Sequence, residues 1–386
     1  MVLAVEDLRI SSGAEVGSVS SSKNQSRGKV LVAMSGGVDS SVAAALLLEQ
    51  GYEVIGATMQ VWDYTESCDL EEGYGTCCSS IDVDDARTVA DRLGIPYYVL
   101  NCEAKFKEAV IDPFLKSYLK GQTPLPCVDC NTYLKFDHLI KKMKELDCQY
   151  LATGHYASVR KDEDSNSSIY TSADDWKDQT YFLFTIDPTI IPYLIFPLEG
   201  MTKPEVRAYA AKKGLSVAKK KDSTGICFVG SQGYGRFIES QVPAEVLQTK
   251  AGWLQRYPSG ERMATHQGIH HFTIGQSKGF GMTHHEKLFV IKIDPETNTV
   301  WVGDEQYLYS QNVNVVDPRF ISKFSDGEIY QVKIRYQQKG NPARVFRTKE
   351  GGLKVEFLEK QRAVTPGQAA VIYDQKRVVG GGWISL

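Results

Sequence analysis

The sequence predicts an α/β protein in which a doubly wound parallel sheet is followed by a small central domain and a C-terminal all-β barrel. Three observations carry this prediction. Apolar runs alternate with helix-forming stretches from residue 28, Gly-rich turns with scattered aromatics begin near residue 225, and short alternating segments fill the chain from about residue 286. We therefore expect an extension at 1–27, an α/β domain at 28–224, a central domain at 225–285 and a barrel at 286–386.

The α/β domain begins with a strand, a helix and a second strand. VLVAM (30–34) is typical of a buried strand, SSVAAALLLEQ (40–50) of a helix that Gly51 can end, and EVIGATM (53–59) of the next strand. The same alternation continues with the helices DVDDARTVADRLGI and FKEAVIDPFLKSYLKG and the strands PYYVLN and YLATG. Strands joined by helices predict a parallel sheet.

The C-terminal third has a different pattern. VGSQGYGRF and HQGIHHFTIGQSKGFG are rich in glycine and aromatic residues, which predicts a small loop-rich domain. LFVIKID, TVWVG, YQVKIRY, LKVEFL, QAAVIYD and RVVGGGWI then follow as short strand-like segments separated by turns. Several short strands at regular spacing predict a barrel.

Residues 1–27 contain SVSSSKNQS and lack the periodicity that orders a core, so we expect a disordered extension. A processed targeting peptide is the alternative. Such peptides avoid acidic residues, and Glu6, Asp7 and Glu15 count against it.

Composition limits the class of protein. The 386 residues are 42% hydrophobic and 24% charged, with a net charge of −3 that neither favours nor excludes a nucleic-acid partner. No apolar run approaches the ~18 residues that cross a bilayer, so we expect a soluble, cytoplasmic protein with no membrane partner, or one in an organelle such as a plastid or mitochondrion. Eight cysteines are too few for a disulfide scaffold in a chain this long.

The stretch Ser35-Gly36-Gly37-Val38-Asp39-Ser40 joins the first strand to the first helix. Such a turn binds anions, because backbone N–H groups and the helix dipole both point at a phosphate. A Walker A loop needs Gly-Lys-Ser/Thr and a dinucleotide fingerprint needs G-x-G-x-x-G, and neither pattern is present here. The turn instead resembles the PP-loop of the ATP pyrophosphatases, in which Asp39 can position Mg²⁺. A Gly-Gly turn that only connects strand to helix is the alternative.

Three cysteines stand out. Cys127 and Cys130 form a C-x-x-C pair in TPLPCVDCN, and Cys227 lies far along the chain in KKDSTGICFVG. One C-x-x-C is compatible with zinc, redox or cluster chemistry, and zinc is disfavoured because no matching pair follows at the usual spacing. We expect Cys102 and Cys148 to be buried and inert, and Cys68, Cys77 and Cys78 to tolerate substitution.

The order of eight motifs resembles that in the tRNA-specific 2-thiouridylases, the MnmA family. These motifs are SGGVDSSVAA, DAR-x-VA-x-x-LGIP, TP-x-PC-x-x-CN-x-x-x-KF, ATGHYA, KDQTYFL, TKPEVR, KKDSTGICF and TIGQ-x-KG. The resemblance covers residue 28 to the C-terminus. It implies an ATP-dependent transferase that adenylates the C2 oxygen of the wobble uridine in tRNA and replaces it with sulfur.

The resemblance also implies roles for the cysteines. Cys227 carries a persulfide and Cys130 is its nucleophilic partner, so a disulfide between them forms as sulfur is delivered. Cys127 stands where many family members have Asp, which is the three-cysteine form. In the alternative mechanism Cys127, Cys130 and Cys227 bind an iron–sulfur cluster with one open iron.

Further contacts follow from the same resemblance. The ATP site comprises Ala33, Met34, Ser35, Gly36, Gly37, Val38, Asp39, Ser40, Met59 and Gly154. The tRNA contacts are Leu125, Pro126, Cys127, Lys177, Asp178, Gln179, Arg335 and Tyr336. Leu125 departs from the Asn usual in the family, which removes an amide able to read the uracil edge. Core packing is the alternative for Met59, and a cap on the strand end is the alternative to a phosphate contact for His155.

The predicted partners are tRNA and a persulfide donor such as a cysteine desulfurase or sulfur-relay protein. A lysine cluster before Cys227 either steers RNA phosphates or is a solvated helix end; its members are Lys212, Lys213, Lys219, Lys220 and Lys221. Two alternatives of other classes are a PP-loop synthetase that adenylates a small molecule and a non-catalytic RNA-binding protein. The first would not need Cys130 or Cys227, and the second would tolerate loss of Asp39.

Overall fold

The structure is a computed structural model that describes residues 26–62, 80–222, 225–230, 233–248, 252–280 and 286–385. Our predictions for most of the N-terminal extension and for Cys68, Cys77 and Cys78 lie outside these residues. The described chain divides into two compact units. Unit 1 takes its residues from Met1–Lys107, Cys130–Thr180 and Ile186–Phe228, and unit 2 from Glu108–Asp129, Tyr181–Thr185 and Val229–Leu386.

The strands of both units, in chain order, are β1 Lys29–Ala33, β2 Glu53–Gln60, β3 Tyr97–Asn101, β4 Tyr150–Thr153, β5 Ser158–Lys161, β6 Ser167–Tyr170, β7 Leu194–Ile195, β8 Gly252–Arg256, β9 Arg262–His266, β10 Phe289–Asp294, β11 Thr299–Gly303, β12 Tyr309–Phe320, β13 Ile329–Lys333, β14 Asn341–Arg347, β15 Leu353–Arg362, β16 Ala369–Asp374 and β17 Arg377–Ser385.

The α-helices are α1 Val38–Glu49, α2 Ser80–Leu93, α3 Glu103–Phe106, α4 Asp112–Leu119, α5 Pro126–Asp129, α6 Leu139–Glu145, α7 Lys203–Lys212, α8 Tyr234–Gln241 and α9 Ala244–Gln248. Two stretches are π-helical, Lys107–Ile111 and Cys130–His138. The 3-10 helices are Thr180–Phe182, Pro188–Tyr193, Ser216–Lys219, Ile269–His271 and Glu305–Leu308. Each helix in the described ranges is too short or too polar to cross a bilayer.

Unit 1 is built on a five-stranded sheet in the order β3-β2-β1-β4-β7. All of its pairings are parallel, which confirms the predicted doubly wound sheet. The strand β1 lies in the middle of this order, and its Val30, Leu31 and Val32 are fully buried. The chain continues from β1 to β2 and β3 on one side of the sheet and then crosses to β4 on the other side of β1. The carboxyl end of β1 is therefore a topological switch point, where open α/β sheets bind ligands.

Unit 2 contains two all-β parts. The strands β10, β11, β8 and β9 form a four-stranded sheet in that order. The second part is an antiparallel sheet in which neighbouring strands pair in the order β12, β15, β14, β13, β16 and β17. The strand β12 also pairs with β17, which closes the barrel. The predicted C-terminal barrel is therefore confirmed.

The helical stretch around Pro113 differs in detail from a regular helix. We expected one helix over residues 106–121, and the chain is helical there, but a π-helical turn at Lys107–Ile111 separates α3 from α4. Proline has no N–H to donate and its ring crowds the preceding turn. The wider π turn accommodates Pro113 at the start of α4.

Candidate active site

The turn between β1 and α1 presents backbone donors to a ligand. Gly37 is the N-cap of α1 and has no side chain to accept a hydrogen bond from the first turn. Ser40 Oγ accepts a hydrogen bond from the Ser35 backbone N–H at 3.1 Å and lies 3.3 Å from Ser35 Oγ, which fixes the loop. An uncapped helix N-terminus leaves backbone N–H groups for an anion such as the pyrophosphate of ATP.

Two glycines permit close backbone approaches around this turn. Gly36 has φ +68°, and a Cβ there would lie 2.1 Å from the Asp82 carbonyl oxygen of α2. A Cβ on Gly154, just after β4, would lie 2.6 Å from the Ser40 backbone nitrogen. Any larger residue at either position would displace the loop or the start of α1.

Asp39 lies in the first turn of α1 and binds a buried lysine. Lys203 Nζ donates to Asp39 Oδ1 at 2.8 Å and Oδ2 at 2.7 Å, and the Tyr156 hydroxyl donates to Oδ1 at 2.9 Å. The Lys203 side chain is only 10% exposed. Because both oxygens of Asp39 are engaged by an ammonium, this arrangement does not fit direct coordination of magnesium by Asp39, and a magnesium ion stays a prediction.

The local sequence explains why Lys203 reaches this position. TKPE starts α7, with Thr202 as N-cap and Pro204 in the first turn. The Glu205 carboxylate accepts a hydrogen bond from the Thr202 backbone N–H at 2.7 Å, and Asp174 Oδ2 accepts one from the Lys203 backbone N–H at 3.0 Å. These caps fix the helix start and direct its first side chain at Asp39.

Lys203 also contacts Asp222, so the two carboxylates share one ammonium. Asp222 Oδ1 lies 2.9 Å from Lys203 Nζ, and Asp222 accepts further bonds from Lys177 at 2.7 Å and Arg207 at 2.5 Å. Burial acts to raise the pKa of Asp222, but the hydrogen bonds from Lys177 and Lys203 outweigh it and lower the pKa to about 2. Asp222 is therefore ionised at neutral pH and anchors the chain five residues before Cys227.

Lys220 binds the other side of the loop. Its Nζ donates to Asp82 Oδ1 at 2.6 Å, to Asp85 and to the Gly36 carbonyl oxygen at 3.1 Å. Burial acts against its charge, yet the bonds to Asp82 and Asp85 raise the pKa of Lys220. Lys213 pairs with Glu49 instead. These two members of the predicted lysine cluster therefore bind carboxylates of their own unit.

His155 follows β4 and lies in an aromatic environment. Its ring lies 5.9 Å from Phe136 and 6.1 Å from Phe196, and Nδ1 lies 2.7 Å from Thr153 Oγ1. Burial lowers the pKa of His155 well below its usual value, so the ring is neutral at pH 7. These contacts favour the strand-end role over a phosphate contact. Met59 is 8% exposed at the end of β2.

Comparisons with known proteins find matches over most of the chain. Three domain families match, described as tRNA methyl transferase HUP domain (28–231), tRNA methyl transferase PRC-barrel domain (241–304) and Aminomethyltransferase beta-barrel domain (310–384). A tRNA-specific 2-thiouridylase MnmA of Geotalea uraniireducens is 45% identical over 94% of this chain and 96% of its own. The chain belongs to the MnmA family of tRNA-specific 2-thiouridylases.

Further relatives agree with the assignment. The MnmA of Acetivibrio thermocellus is 46% identical over 93% of this chain and 99% of its own length. Among solved structures, a complex of a 4-thiouridine synthetase with RNA and ATP is 18% identical over 56% of this chain and 50% of that one, with a TM-score of 0.33.

The cysteines that the MnmA resemblance singles out lie in different environments. Cys130 begins the π-helical stretch Cys130–His138 and is half-buried, and Cys227 is half-buried in a turn of unit 1. Next to Cys227, the Phe228 ring packs edge-on against Phe106 at 5.5 Å. Cys127 is exposed in α5, a helix of unit 2.

The remaining two described cysteines are buried. Cys102 and Cys148 are 3% and 6% exposed. Burial raises the pKa of the Cys102 thiol to about 11 and raises that of Cys148 as well. A neutral buried thiol is a poor nucleophile, which agrees with the expectation that these two are inert.

The residues of unit 1 that we predicted to contact tRNA form hydrogen bonds or ion pairs within unit 1. Lys177 binds Asp222, Asp178 is 4% exposed and accepts a bond from the Thr180 hydroxyl at 2.8 Å, and Gln179 Oε1 accepts one from the Tyr156 N–H at 3.0 Å. Beside them, the Trp176 side chain is 75% exposed. Sequence analysis assigned no role to Trp176.

The predicted contacts of unit 2 lie in two places. Leu125 is half-buried and Pro126 is buried at the start of α5. Arg335 donates to the Ala363 carbonyl oxygen at 2.6 Å, and the Tyr336 ring lies 4.6 Å from the Phe182 ring. No comparison tests these contacts, so they stay predictions.

Sequence analysis named Lys220 only as a member of the lysine cluster, and it missed the contacts of Lys203 and Tyr156 with Asp39. Lys203 lies in TKPEVR and Tyr156 in ATGHYA, two motifs that carried the family resemblance. A signal was therefore present, but nothing in the sequence shows that these side chains converge on Asp39.

Proposed function

We propose that this chain replaces the C2 oxygen of the wobble uridine of tRNA with sulfur, in an ATP-dependent reaction. The observation that carries the proposal is that identity with named 2-thiouridylases spans nearly the whole chain. The uncapped turn at the switch point supports it, because that turn suits the pyrophosphate part of ATP.

In the first step the C2 oxygen of uridine attacks the α-phosphorus of ATP, and pyrophosphate leaves. Ser35, Ser40 and the N–H groups of the loop hold the pyrophosphate, while Lys203 supplies positive charge at the loop. The uridine oxygen is a poor leaving group on its own. Attachment of AMP makes it a good one.

In the second step sulfur displaces AMP. The terminal sulfur of a persulfide on Cys227 attacks C2, and AMP departs with the former uridine oxygen. The Cys130 thiolate then attacks Sγ of Cys227, which breaks the S–S bond to the new 2-thiouridine and forms a Cys130–Cys227 disulfide. A dithiol reductant must reduce this disulfide, and a cysteine desulfurase or sulfur-relay protein must reload Cys227.

An iron–sulfur cluster is the alternative way to supply sulfur. The thiols of Cys127, Cys130 and Cys227 match the donor chemistry of such a cluster. Iron and acid-labile sulfide analysis after anaerobic purification separates the two routes. Cluster iron required for activity would assign the three cysteines as ligands, whereas full activity of iron-free protein with a persulfide donor would assign Cys227 as the sulfur carrier.

The tRNA must present an extruded base, since C2 of a stacked uridine is out of reach. The exposed Trp176 beside Lys177 offers a stacking surface next to a cation, a combination that suits single-stranded RNA. We place the reaction in the cytoplasm, with an organelle as the alternative compartment.

The decisive experiment is a thiolation assay on unmodified tRNA with ATP and a persulfide donor, read by nucleoside mass spectrometry. Cys227→Ser should yield no 2-thiouridine while still binding ATP and tRNA, because only the sulfur carrier is lost. The buried Cys148→Ala is the matched control and should retain activity. Normal 2-thiouridine from Cys227→Ser would refute the assignment of the carrier.

The same assay tests the other functions. The mass of the product separates sulfur exchange from the methyl transfer that two of the domain descriptions mention. Pyrophosphate release that needs a small molecule and ignores tRNA would instead indicate a different adenylating synthetase.

A further inference from the structure

Two adjacent histidines and a glutamate meet in unit 2, away from any residue that the proposed reaction uses. His270 and His271 lie in the 3-10 helix Ile269–His271, and Glu239 lies on α8. Glu239 Oε1 is 2.9 Å from His271 Nε2 and 3.6 Å from His270 Nε2. One ligand atom from each of the three residues lies within 4.8 Å of the others.

His270 is the residue that needs an explanation. Its side chain is 1% exposed, and neither ring nitrogen has a hydrogen-bond partner among the described residues. Buried polar groups are nearly always paired, because an unpaired one loses its bonds to water without replacement. Glu239 Oε1 lies just beyond hydrogen-bond distance of the ring, so the cluster is arranged around His270 without satisfying it.

Two glycines make room for the imidazole rings. A Cβ on Gly235 of α8 would lie 2.4 Å from His271 Nδ1. A Cβ on Gly268 would lie 2.3 Å from His270 Cε1, and Gly268 has φ +151°, which favours glycine. Only glycine at these two positions lets the backbone lie this close to the imidazole rings.

We propose that Glu239, His270 and His271 bind a zinc ion that joins α8 to the 3-10 helix. Two imidazoles and a carboxylate are a common zinc donor set, and ligand atoms around tetrahedral zinc lie about 3.4 Å apart, close to the two distances from Glu239. Magnesium and calcium prefer oxygen ligands, so the imidazoles disfavour them. The Glu239 side chain is 42% exposed, so the fourth position opens to water.

The role we assign to this zinc is structural. It supplies His270 with the partner that it lacks and holds two segments together that are some thirty residues apart in the chain. The proposal does not depend on tRNA thiolation, since none of the three residues belongs to the proposed reaction.

Zinc binding is measured on the full-length protein after removal of metal with a chelator, by competition with a chromogenic zinc indicator. Thiolates are zinc ligands as a class, so the informative quantity is the difference in zinc binding between the wild type and Glu239→Gln, an isosteric change at an exposed position. We expect one zinc ion fewer at a given free zinc concentration, with the affinity of this site reduced roughly tenfold or more. The exposed Glu245→Gln on α9 is the matched control and should bind as the wild type does.

Cobalt substitution identifies the ligands. The difference spectrum between wild type and Glu239→Gln should show cobalt d–d bands without thiolate charge transfer, because the donors are nitrogen and oxygen. His271→Asn should give the same result, which guards against a folding defect in one variant. Zinc should also raise the Tm of the wild type more than that of either variant, since zinc binding favours the folded state.

Equal zinc binding by the wild type and both variants would overturn the proposal. So would a difference spectrum with thiolate bands, or a site that takes iron(II) in preference to zinc.

Discussion

The region around the turn between β1 and α1 in unit 1 and the barrel of unit 2 bury different kinds of side chain. Around the loop, Lys203, Asp222 and Lys220 are partly or largely withdrawn from water and bind one another or neighbouring carboxylates. In the barrel the core cluster is apolar, and its Val332, Val345 and Val355 are fully buried. The first region holds charged side chains in fixed positions, where a ligand can meet them. The second has an apolar core whose packing depends on no ligand.

This difference teaches how stability and function are divided in the chain. Buried ion pairs are costly to desolvate and contribute little net stability, yet removal of one partner is strongly destabilising. Apolar packing stabilises without regard to any ligand. Substitutions in the two regions should therefore have effects that can be separated.

The largest effect on stability should come from the barrel. Phe357→Ala removes a ring that is 1% exposed on β15, and we expect a loss of about 4 kcal/mol in the free energy of unfolding of unit 2. Hydrogen exchange of β12–β17 peptides measures it. Leu358→Ala is the control, because this neighbouring side chain is 56% exposed and should cost little. Equal effects of the two changes would contradict the inside–outside pattern.

Lys203→Met should come next. It leaves Asp39 and Asp222 without their shared ammonium, and we expect unit 1 to lose about 3 kcal/mol of stability, measured by hydrogen exchange of β1 and β4 peptides. Lys213→Met, at the other end of α7, removes an exposed pair with Glu49 and should cost much less, because water screens that pair. A larger loss of stability in Lys213→Met than in Lys203→Met would contradict the argument that burial makes the ion pairs of Lys203 more important than that of Lys213.

Gly36→Ala should act mainly on the ligand. The added Cβ meets the Asp82 carbonyl oxygen and displaces the loop, so ATP affinity should fall ~100-fold, measured by equilibrium dialysis. Gly94→Ala is matched in backbone conformation, at φ +67° against +68°, but its Cβ would meet nothing within 4 Å. It should cost about 1 kcal/mol of stability and leave ATP affinity unchanged. Loss of ATP affinity in both variants would point to left-handed strain and not to the clash.

The smallest effect concerns acid. The pKa of Asp222 is about 2 in the folded chain and 3.8 in the unfolded chain, so the unfolded state binds its proton first as pH falls. The stability that Asp222 provides is complete above about pH 4 and is lost as the pH falls through about 2. The free energy of unfolding of unit 1, measured between about pH 5 and about pH 2, should fall less steeply with decreasing pH for Asp222→Asn than for the wild type. The exposed Asp175→Asn should follow the wild type; identical curves for all three proteins would refute the pairing of Asp222.

Sequence reasoning found the elements whose patterns are local. The run VLVAM predicted β1, and Gly-Gly before a Ser-rich helix start predicted the turn where the ligand should bind. It missed β14, because Pro342 and the charges of NPARVFR hide a barrel strand whose inward side chains are only Ala343 and Val345.

Contacts between distant residues could not be predicted in the same way. The need for glycine at position 36 depends on a carbonyl of α2, and Lys203 meets Asp39 from 164 residues away. His270 and His271 look like ordinary members of a Gly-rich loop until α8 brings Glu239 to them. Such convergence is a property of the fold, and a single sequence does not display it.

The single ammonium shared by Asp39 and Asp222 makes the two carboxylates thermodynamically linked. A polyanion that enters the loop and attracts Lys203 weakens its hold on Asp222, which precedes the Cys227 turn by five residues. Reciprocity then requires that whatever repositions Asp222 alters the affinity for that polyanion by the same factor. Occupation of the loop by an anion and the position of Asp222 are therefore coupled through one lysine.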